Sequence, residues 1–353
     1  MSSIRGAERE LTQKASRMHV RTALHAPQRG GPSGAGRRER IRVWGPVAAL
    51  VALCVLFSLT SPYFLSIPNV QALVDSAAIP LVLATGATFV ILMGSIDLSI
   101  EGVTATASCL VALLVRNSQN AADLGYVGVL LTILVGSLIG LFTGLVVTRL
   151  RVPSFMATLG LWAIGLGVAA VLFGYRAAVV EDSNVRAIEL TRWLGFPVEA
   201  YIGLGVVALG YFLQRSTRFG RYAYAIGADE RAAWTAGIPV DRYKVGVFMF
   251  AAAMSALAGV MTVAKLGMSD SLAGSSDLFA TLTAVVVGGT LFSGGEGGVL
   301  QSLVGVAIVV VLNNGMVQAG LDPLAQQGIE GMLIVVAVAA THWPVRQRLA
   351  VVK

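Results

Sequence analysis

Charged residues are scarce in this sequence of 353 residues: Asp, Glu, Lys and Arg together make up 13% of the chain, while 56% of it is apolar. A soluble domain of ordinary composition carries about 25% charged residues. A chain so poor in charge could not cover a water-facing surface of its size, which excludes a cytosolic globular protein and a disordered one. A disulfide scaffold is excluded on the same ground. Cys54 and Cys109 both lie in apolar runs, so they say nothing about the redox compartment. The composition indicates a polytopic membrane protein.

Catalytic and nucleotide-binding motifs are also missing. The chain has four lysines, and none belongs to a G-x-x-x-x-G-K-[ST] loop of the kind that cradles phosphates. Its three histidines form no H-E-x-x-H pair, and no G-x-S-x-G elbow leads into a helix with triad partners. We therefore expect a protein that is not an enzyme and that holds no cofactor or metal of its own.

Ten apolar segments approach the length needed to cross a bilayer core, which takes about 20 helical residues for about 30 Å. Their approximate ranges are 43–60, 70–93, 99–115, 126–148, 154–173, 198–213, 245–266, 278–292, 299–317 and 325–343. The segments near Ser99 and Leu278 are short, so each is either a half-helix or a tilted span. The sequence predicts an all-α polytopic fold of about ten transmembrane helices, within one membrane domain over residues 43–345.

The basic residues indicate the orientation of these segments. If all ten cross, 21 of the 26 lysines and arginines lie on the side of the two termini. The positive-inside rule then places both termini in the cytoplasm, including the C-terminal residues 346–353. Residues 1–42 carry ten of these basic residues without helical or strand periodicity. We expect this segment to be a disordered cytoplasmic tail that contacts anionic membrane lipid and no nucleic acid.

Two connecting loops are long. The outer loop 174–198 is polar and mixed in charge, and it is long enough to meet a partner outside the cell. The cytoplasmic loop 214–244 contains the signals of a self-contained short helix. Asp229 suits the N-cap, Gly237 suits the position after the C-terminus, and Pro239 prevents continuation. A capped helix is more than a simple connector needs.

Four motifs in order carry a specific resemblance. The first is G-R-Y-A-Y-A-I-G at 220–227, followed by Glu230, Ala232, Ala233 and Gly237-Ile238. The others are G-S-I-D-L-S at 94–99, R-V-P-S-F-M-A-T-L-G at 151–160, and V-G-G-T to G-G-E-G at 287–297 with L-N-N-G at 312–315. Together they resemble the permeases of ABC importers for ribose, xylose and galactose, over about residues 45–345. The family pattern has G-G-I-D-L-S, so Ser95 replaces its second glycine.

The resemblance implies a division of labour among several chains. Two permease subunits, identical or merely related, form the pore in a bacterial inner membrane. A cytoplasmic ABC ATPase binds ATP and Mg²⁺, and a periplasmic or extracellular binding protein delivers the sugar. The residues expected to couple this chain to the ATPase are Gly220, Arg221, Gly227, Asp229, Glu230, Ala232, Ala233 and Gly237.

Polar and aromatic residues inside the apolar segments are candidates for a substrate pathway or a helix break. They are Ser95, Asp97, Ser99, Phe155, Thr158, Asn313, Asn314 and Gln326. Asp97 either caps a half-helix or lines the path, and both roles are typical of transporters. The asparagines either bind a neutral sugar or hydrogen-bond neighbouring helices.

Alternative functions remain open on the sequence alone. An ion-coupled secondary transporter would need titratable groups at mid-membrane, and Asp75, Asp97 and Glu330 are few. An ABC permease for branched-chain amino acids shares much of the architecture, although the G-S-I-D-L-S motif favours the sugar branch. A membrane-embedded enzyme lacks catalytic residues. A faint internal similarity between 85–105 and 282–301 suggests an inverted repeat of helices 2–5 and 7–10.

Overall fold

The computed structural model describes residues 32–322 apart from Ser276, together with scattered positions between 325 and 339, and this part of the chain is almost entirely helical. Its helices are α1 (Pro32–Thr60), α2 (Ile67–Leu92), α3 (Ile100–Leu114), α4 (Gly125–Arg149), α5 (Ser154–Phe173), α6 (Ser183–Leu190), α7 (Val198–Ser216), α8 (Arg218–Ala228), α9 (Glu230–Thr235), α10 (Val240–Leu266), α11 (Asp277–Val287) and α12 (Val299–Gln318). The described positions from 325 to 339 are helical as well. Strands β1 (Arg192–Trp193) and β2 (Phe196–Pro197) form a two-stranded antiparallel hairpin.

The chain divides into two units, residues 1–42 and 43–353. In the first unit the described residues begin at 32 and are helical, so that the last part of the expected disordered tail has regular structure. The sequence there contains alanine, arginine and glutamate, which are good helix formers. Residues 1–31 lie outside the described residues, and their disorder stays a prediction.

Five helices among the described residues are long and apolar enough to cross a membrane: α2, α4, α5, α10 and α12. Three further apolar helices are shorter: residues 44–60 of α1, then α3 and α11. With 15 and 11 residues, α3 and α11 extend about 22 and 16 Å, less than a bilayer core. The two segments that the sequence marks as short are therefore short helices in a multi-pass membrane protein.

Helices α4 and α10 approach each other closely because α4 carries small residues along one face. Gly136, Gly140 and Gly144 recur at every fourth position. A β-carbon on Gly140 would come within 2.3 Å of the Phe248 carbonyl oxygen of α10. Inside lipid the hydrophobic effect does not drive helices together. A stripe of small residues promotes their association instead, because it lets the two backbones pack closely.

Helix α2 is central in the larger unit. Every residue from Leu81 to Leu92 is buried, which for a helix means neighbours on all sides. Its neighbours include α7, α10 and α12. Because α2 ends at Leu92 inside this packing, most of the non-helical residues that follow it are buried or half-buried, and Gly94 is exposed.

Candidate functional site

The 214–244 loop folds into two consecutive capped helices. The Thr217 hydroxyl oxygen accepts a hydrogen bond from Phe219 N (3.2 Å) at the start of α8. Asp229 ends α8, and its Oδ1 accepts from Ala232 N (2.9 Å) at the start of α9. Gly237 follows α9 with a φ of 80°, in the left-handed region that favours glycine. The predicted capped helix between Asp229 and Gly237 is confirmed.

Helix α9 has one anchored face and one free face. Ala233 is buried in the main core, and Lys244 of α10 pairs with Glu230 at 2.7 Å. Trp234, the next residue along, is 72% exposed. Arg221 and Ala232, which the sequence assigned to coupling, are also exposed. Ala233 therefore holds the helix in place, whereas Trp234 is available to a partner.

Behind this loop, three segments of backbone meet at four glycines, Gly94, Gly227, Gly294 and Gly295, which we call the glycine junction. Gly295 N donates a hydrogen bond to the Leu92 carbonyl oxygen at 2.8 Å. A β-carbon on Gly227 would lie 1.8 Å from that same oxygen and 2.5 Å from Gly295 N. A β-carbon on Gly294 would lie 2.7 Å from Gly94 N. The 214–244 loop thus touches the Leu92 backbone, where α2 ends and the break 93–99 begins, and the backbone of the break 288–298.

A side-chain connection runs beside the glycine junction. The Tyr224 hydroxyl of α8 donates to the Gly297 carbonyl oxygen, and Gln214 Nε2 donates to the Tyr224 hydroxyl. Gln214 Oε1 accepts from Val299 N (2.8 Å), the first residue of α12. Gly220 has room for no side chain, because a β-carbon there would meet the Gln214 backbone at 2.0 Å. The end of α7, the 214–244 loop and the start of α12 are therefore tied together.

The break between α2 and α3 contains Asp97, whose side chain is 3% exposed. Asp97 Oδ1 accepts two hydrogen bonds from Ser99, one from its N (2.8 Å) and one from its Oγ (2.6 Å). Burial raises the pKa of the Asp97 carboxyl, and the bonds from Ser99 lower it by less. Of the two roles left open for Asp97, this geometry favours a turn at the entry to α3. The Ser99 side chain makes no capping bond of its own to α3.

The same break is fastened to the start of α5. Ser154 Oγ accepts from Ile96 N at 3.1 Å, and Thr158 Oγ1 accepts from Leu98 N at 3.0 Å. Thr158 is fully buried, and Ser95 is 5% exposed. Thr158 therefore supports the break, and the residues 95–99 cluster with it.

The remaining polar candidates lie at the opposite end of the helices. Asn314 donates to Asn69 Oδ1 at the start of α2, and Gln318 donates to Asn314 Oδ1, both at 2.9 Å. Gln326 donates to the Leu321 carbonyl oxygen (2.9 Å). Fifteen helical residues, about 22 Å, separate Asn314 from the start of α12. The amides consequently do not join Asp97 in one site. Asn313 Oδ1 is buried without a hydrogen-bond partner among the described residues.

Where α3 crosses α5, the structure brings together a polar pair that the sequence reasoning missed. Glu101 is 9% exposed on α3, and a β-carbon on the next residue, Gly102, would come within 2.5 Å of the Trp162 carbonyl oxygen. The indole N–H of Trp162 is buried beside the Glu101 carboxyl, which makes the two side chains a donor and acceptor pair. The available signal was the carboxylate of Glu101 inside an apolar segment, which is a functional candidate by default.

Four charged residues form an ionic cluster at the end away from the 214–244 loop. Lys265 Nζ donates to the Asp75 carbonyl oxygen (3.2 Å) and lies 3.9 Å from Glu199 Oε1. Arg192 of the hairpin pairs with Asp75 Oδ2 at 3.2 Å. Glu199 is fully buried, and the carboxyl of Glu189 lies next to it as a second acidic group. Lys265 therefore supplies the nearest compensating charge.

The chain is similar to several membrane transport proteins. Ribose import permease protein RbsC from Escherichia coli (strain K12) is 32% identical over 314 residues, covering 86% of this chain and 96% of that protein. Probable ABC transporter permease protein YphD from the same strain is 34% identical over 296 residues, 84% of this chain and 88% of that protein. L-arabinose transport system permease protein AraH, also from that strain, is 28% identical over 300 residues, 84% and 90% of the two chains. No solved structure gives a significant match.

A family model described as "Branched-chain amino acid transport system / permease component" matches residues 69–338. That range contains the glycine junction, the 214–244 loop and the four motifs, so the resemblance seen in the sequence is confirmed. The relatives described above are permease proteins of transporters and not enzymes. The chain therefore belongs to this family of transport-system permease components.

Proposed function

We propose that this chain is the membrane-spanning permease subunit of an ATP-driven ABC importer for a monosaccharide or a similar small polyol. The names of the relatives, which include ribose and arabinose permeases, support the substrate class. The glycine junction supports the mechanism and is the observation that carries the proposal, because it joins the 214–244 loop to both helix breaks through direct backbone contact.

In this mechanism a cytoplasmic ATPase, which binds ATP and Mg²⁺, docks on the exposed face of α9 around Trp234. Closure of the ATPase dimer displaces α9 and α8 as one rigid body, since Asp229 caps one helix where the other ends. Gly227 then moves the Leu92 carbonyl and Gly295, because no side chain lies between these groups to absorb the displacement. The two breaks shift together, and access to the substrate pathway changes sides.

The orientation in this proposal places both termini and the 214–244 loop in the cytoplasm. Basic residues of the described part support it. At the end of the loop lie Arg149, Arg151, Arg215, Arg218, Arg221, Arg231, Arg242 and Lys244, against Arg116, Arg176, Arg186, Arg192 and Lys265 at the other end. The positive-inside rule assigns the richer side to the cytoplasm. The outer loop, with its exposed Trp193, then faces the binding protein.

We further propose ten transmembrane helices arranged as an inverted repeat. Helices α2 to α5 have 26, 15, 25 and 20 residues, a long, short, long, long pattern. The second set begins with α10, α11 and α12, which have 27, 11 and 20 residues. The helical positions from 325 to 339 supply its fourth member. The chain crosses the membrane five times between the start of α2 and the start of α10. Because five is an odd number, the two sets have opposite orientations in the membrane.

The substrate pathway in this proposal runs along α5, at the contact between two permease subunits. Phe155 is 45% exposed on this helix, and a β-carbon on Gly160 or Gly167 would have no neighbour within 4 Å. Beside that open face lie the neighbouring side chains of Glu101 and Trp162. A carboxylate that accepts and an indole that donates suit the hydroxyl groups of a neutral sugar, and an aromatic ring suits its apolar face.

The test is transport by the chain reconstituted in vesicles with its ATPase and binding protein. We expect ATP-dependent uptake of a labelled pentose or hexose that persists when ionophores collapse the proton and sodium gradients. Uptake of leucine instead of a sugar would assign the chain to amino-acid import. Uptake that stops with the ion gradients and ignores ATP would overturn the proposal in favour of a secondary transporter.

A further inference from the structure

A cavity of about 360 Å³ opens beside the glycine junction, between α1, α7 and α12. Its polar lining comes from Tyr211, Gln214 and Arg215 of α7, Tyr224 of α8 and Gln301 of α12. Its apolar lining includes Pro46 and Val47 of α1, with Leu300 and Val304 of α12. The cavity is therefore amphipathic, with a cation on one side and aliphatic groups on the other.

The positions of these residues along their helices place the cavity at a membrane edge. Arg215 is one residue from the end of α7, and Leu300 is the second residue of α12. Pro46 lies near the start of the apolar part of α1, two residues after Trp44, which is 65% exposed. Tryptophan is typical of the boundary between hydrocarbon and headgroups. The cavity consequently lies at the headgroup level of the membrane, on the side of the 214–244 loop.

Two independent features make this cavity attractive to an anion. Arg215 Nη1 donates to the Tyr211 hydroxyl at 3.0 Å, and the guanidinium lies 5.9 Å from the Tyr211 ring centre. Among the described residues, the partners of Arg215 are therefore neutral. The cavity also lies at the N-terminus of α12, where the helix dipole favours negative charge. None of the described side chains that line it is acidic.

We propose that this cavity binds the headgroup of an anionic phospholipid of the inner leaflet, with its phosphate at Arg215 and the start of its acyl chains along α1 and α12. A lipid fits better than a free phosphate because four of the eleven described lining residues are aliphatic. Basic pockets between transmembrane helices on the cytoplasmic side are suited to such headgroups. The bound headgroup rests on Gln214 and Tyr224, the two side chains that tie α12 to the 214–244 loop.

The experiment measures lipid retention by the purified full-length chain in detergent, by native mass spectrometry during titration with phosphatidylglycerol or phosphatidylcholine. We expect one tightly retained phosphatidylglycerol per chain and no tightly retained phosphatidylcholine. Arg215→Gln should lower the affinity for phosphatidylglycerol about tenfold, the effect of one charge-assisted hydrogen bond. The matched control is Arg149→Gln, an exposed arginine that ends α4 outside the cavity and should leave the affinity unchanged.

Three outcomes would overturn the proposal: equal retention by the Arg215→Gln and Arg149→Gln chains, equal retention of the two lipids, or displacement of phosphatidylglycerol by millimolar inorganic phosphate. The last would indicate a site for soluble anions. Arg215 is exposed, so its replacement should not impair folding, and a monodisperse gel-filtration peak verifies this. Because the readout is lipid binding alone, its result does not depend on whether the chain transports a sugar.

Discussion

The two ends of the helical bundle are held together by different physics. At the end of the 214–244 loop, backbone atoms of three segments touch directly through the glycine junction. At the other end, Asp75, Arg192, Glu199 and Lys265 interact through charges at 3.2 to 3.9 Å. Contact repulsion rises steeply over a few tenths of an ångström, whereas Coulomb energy changes only as the inverse of distance. The first end is suited to transmitting a displacement, and the second is suited to tolerating one.

The largest effect should come from filling the glycine junction. In Gly227→Ala the new β-carbon would lie 1.8 Å from the Leu92 oxygen, so α8 must move away from both breaks. We expect ATP-driven uptake to fall more than about 100-fold, because separating the segments uncouples them, as small misplacements in tightly fitted sites do. The measurement is initial uptake rate, normalised to the amount of chain in the membrane.

Gly205→Ala is the matched control, since that glycine of α7 has no neighbour within 4 Å of a β-carbon. It should insert and transport as the unaltered chain does. If Gly227→Ala also transports normally, the junction does not transmit the movement.

A smaller effect should follow from removing the charge that faces Glu199. Lys265→Met removes the cation nearest to the fully buried Glu199 carboxyl. We expect this to lower the free energy of unfolding by only about 1 kcal/mol, because burial and the neighbouring Glu189 favour the neutral form of Glu199 and because Lys265 is partly exposed. Thermal unfolding in detergent measures the change.

The double variant Glu199→Gln with Lys265→Met should recover most of that loss, since no uncompensated charge remains. The Lys265→Met chains that remain folded in the membrane should keep the ratio of transport to ATP hydrolysis of the unaltered chain, whereas Gly227→Ala should lower that ratio. An altered ratio would show that the ionic cluster also transmits movement, and the contrast between the two ends would fail.

A third variant tests the exposed face of α9. Trp234→Ala should weaken binding of the ATPase about tenfold, because exposed tryptophans that become buried in an interface contribute strongly to affinity. Folding should be unaffected, since the neighbouring Ala233 provides the anchor. The control is Tyr175→Ala, which removes a fully exposed aromatic residue of the outer loop. If both variants bind the ATPase with equal affinity, the exposed face of α9 is not part of the interface with the ATPase.

Local signals in the sequence predicted the local parts of this arrangement. The N-cap at Asp229, the left-handed Gly237 and the short helices α3 and α11 all follow from neighbouring residues. The contacts that assemble the site could not be predicted in this way. Tyr224 and Gly297 are 73 positions apart, and Gln214 and Val299 are 85 apart. A one-dimensional pattern carries no information about which segments will meet over such separations.

The same limit explains why the polar candidates did not form one site. Asp97 and Asn314 looked equivalent as polar groups in apolar segments, but they lie at opposite ends of the helices. Ala233 shows a related limit, because the helical pattern alone does not indicate which face of a two-turn helix meets the core. Trp234 lies in the same loop but is not among the residues that the sequence assigned to coupling, and its exposure is what distinguishes it.

The smallest effect should come from the most exposed member of the ionic cluster. Arg192, with a side chain 46% exposed, pairs with Asp75 at 3.2 Å, and surface pairs of this kind contribute about 0.2–1 kcal/mol. We expect Arg192→Gln to lower the free energy of unfolding by about 0.5 kcal/mol at low salt. At 1 M salt the Debye length is about 3 Å, so the difference from the unaltered chain should vanish there. Gly227→Ala should show no such dependence, because contact repulsion between backbone atoms is not screened by ions. Salt titration of both variants therefore distinguishes charge interactions in the ionic cluster from backbone contact in the glycine junction. If the defect of Gly227→Ala depends on salt, charge and not contact governs the glycine junction as well.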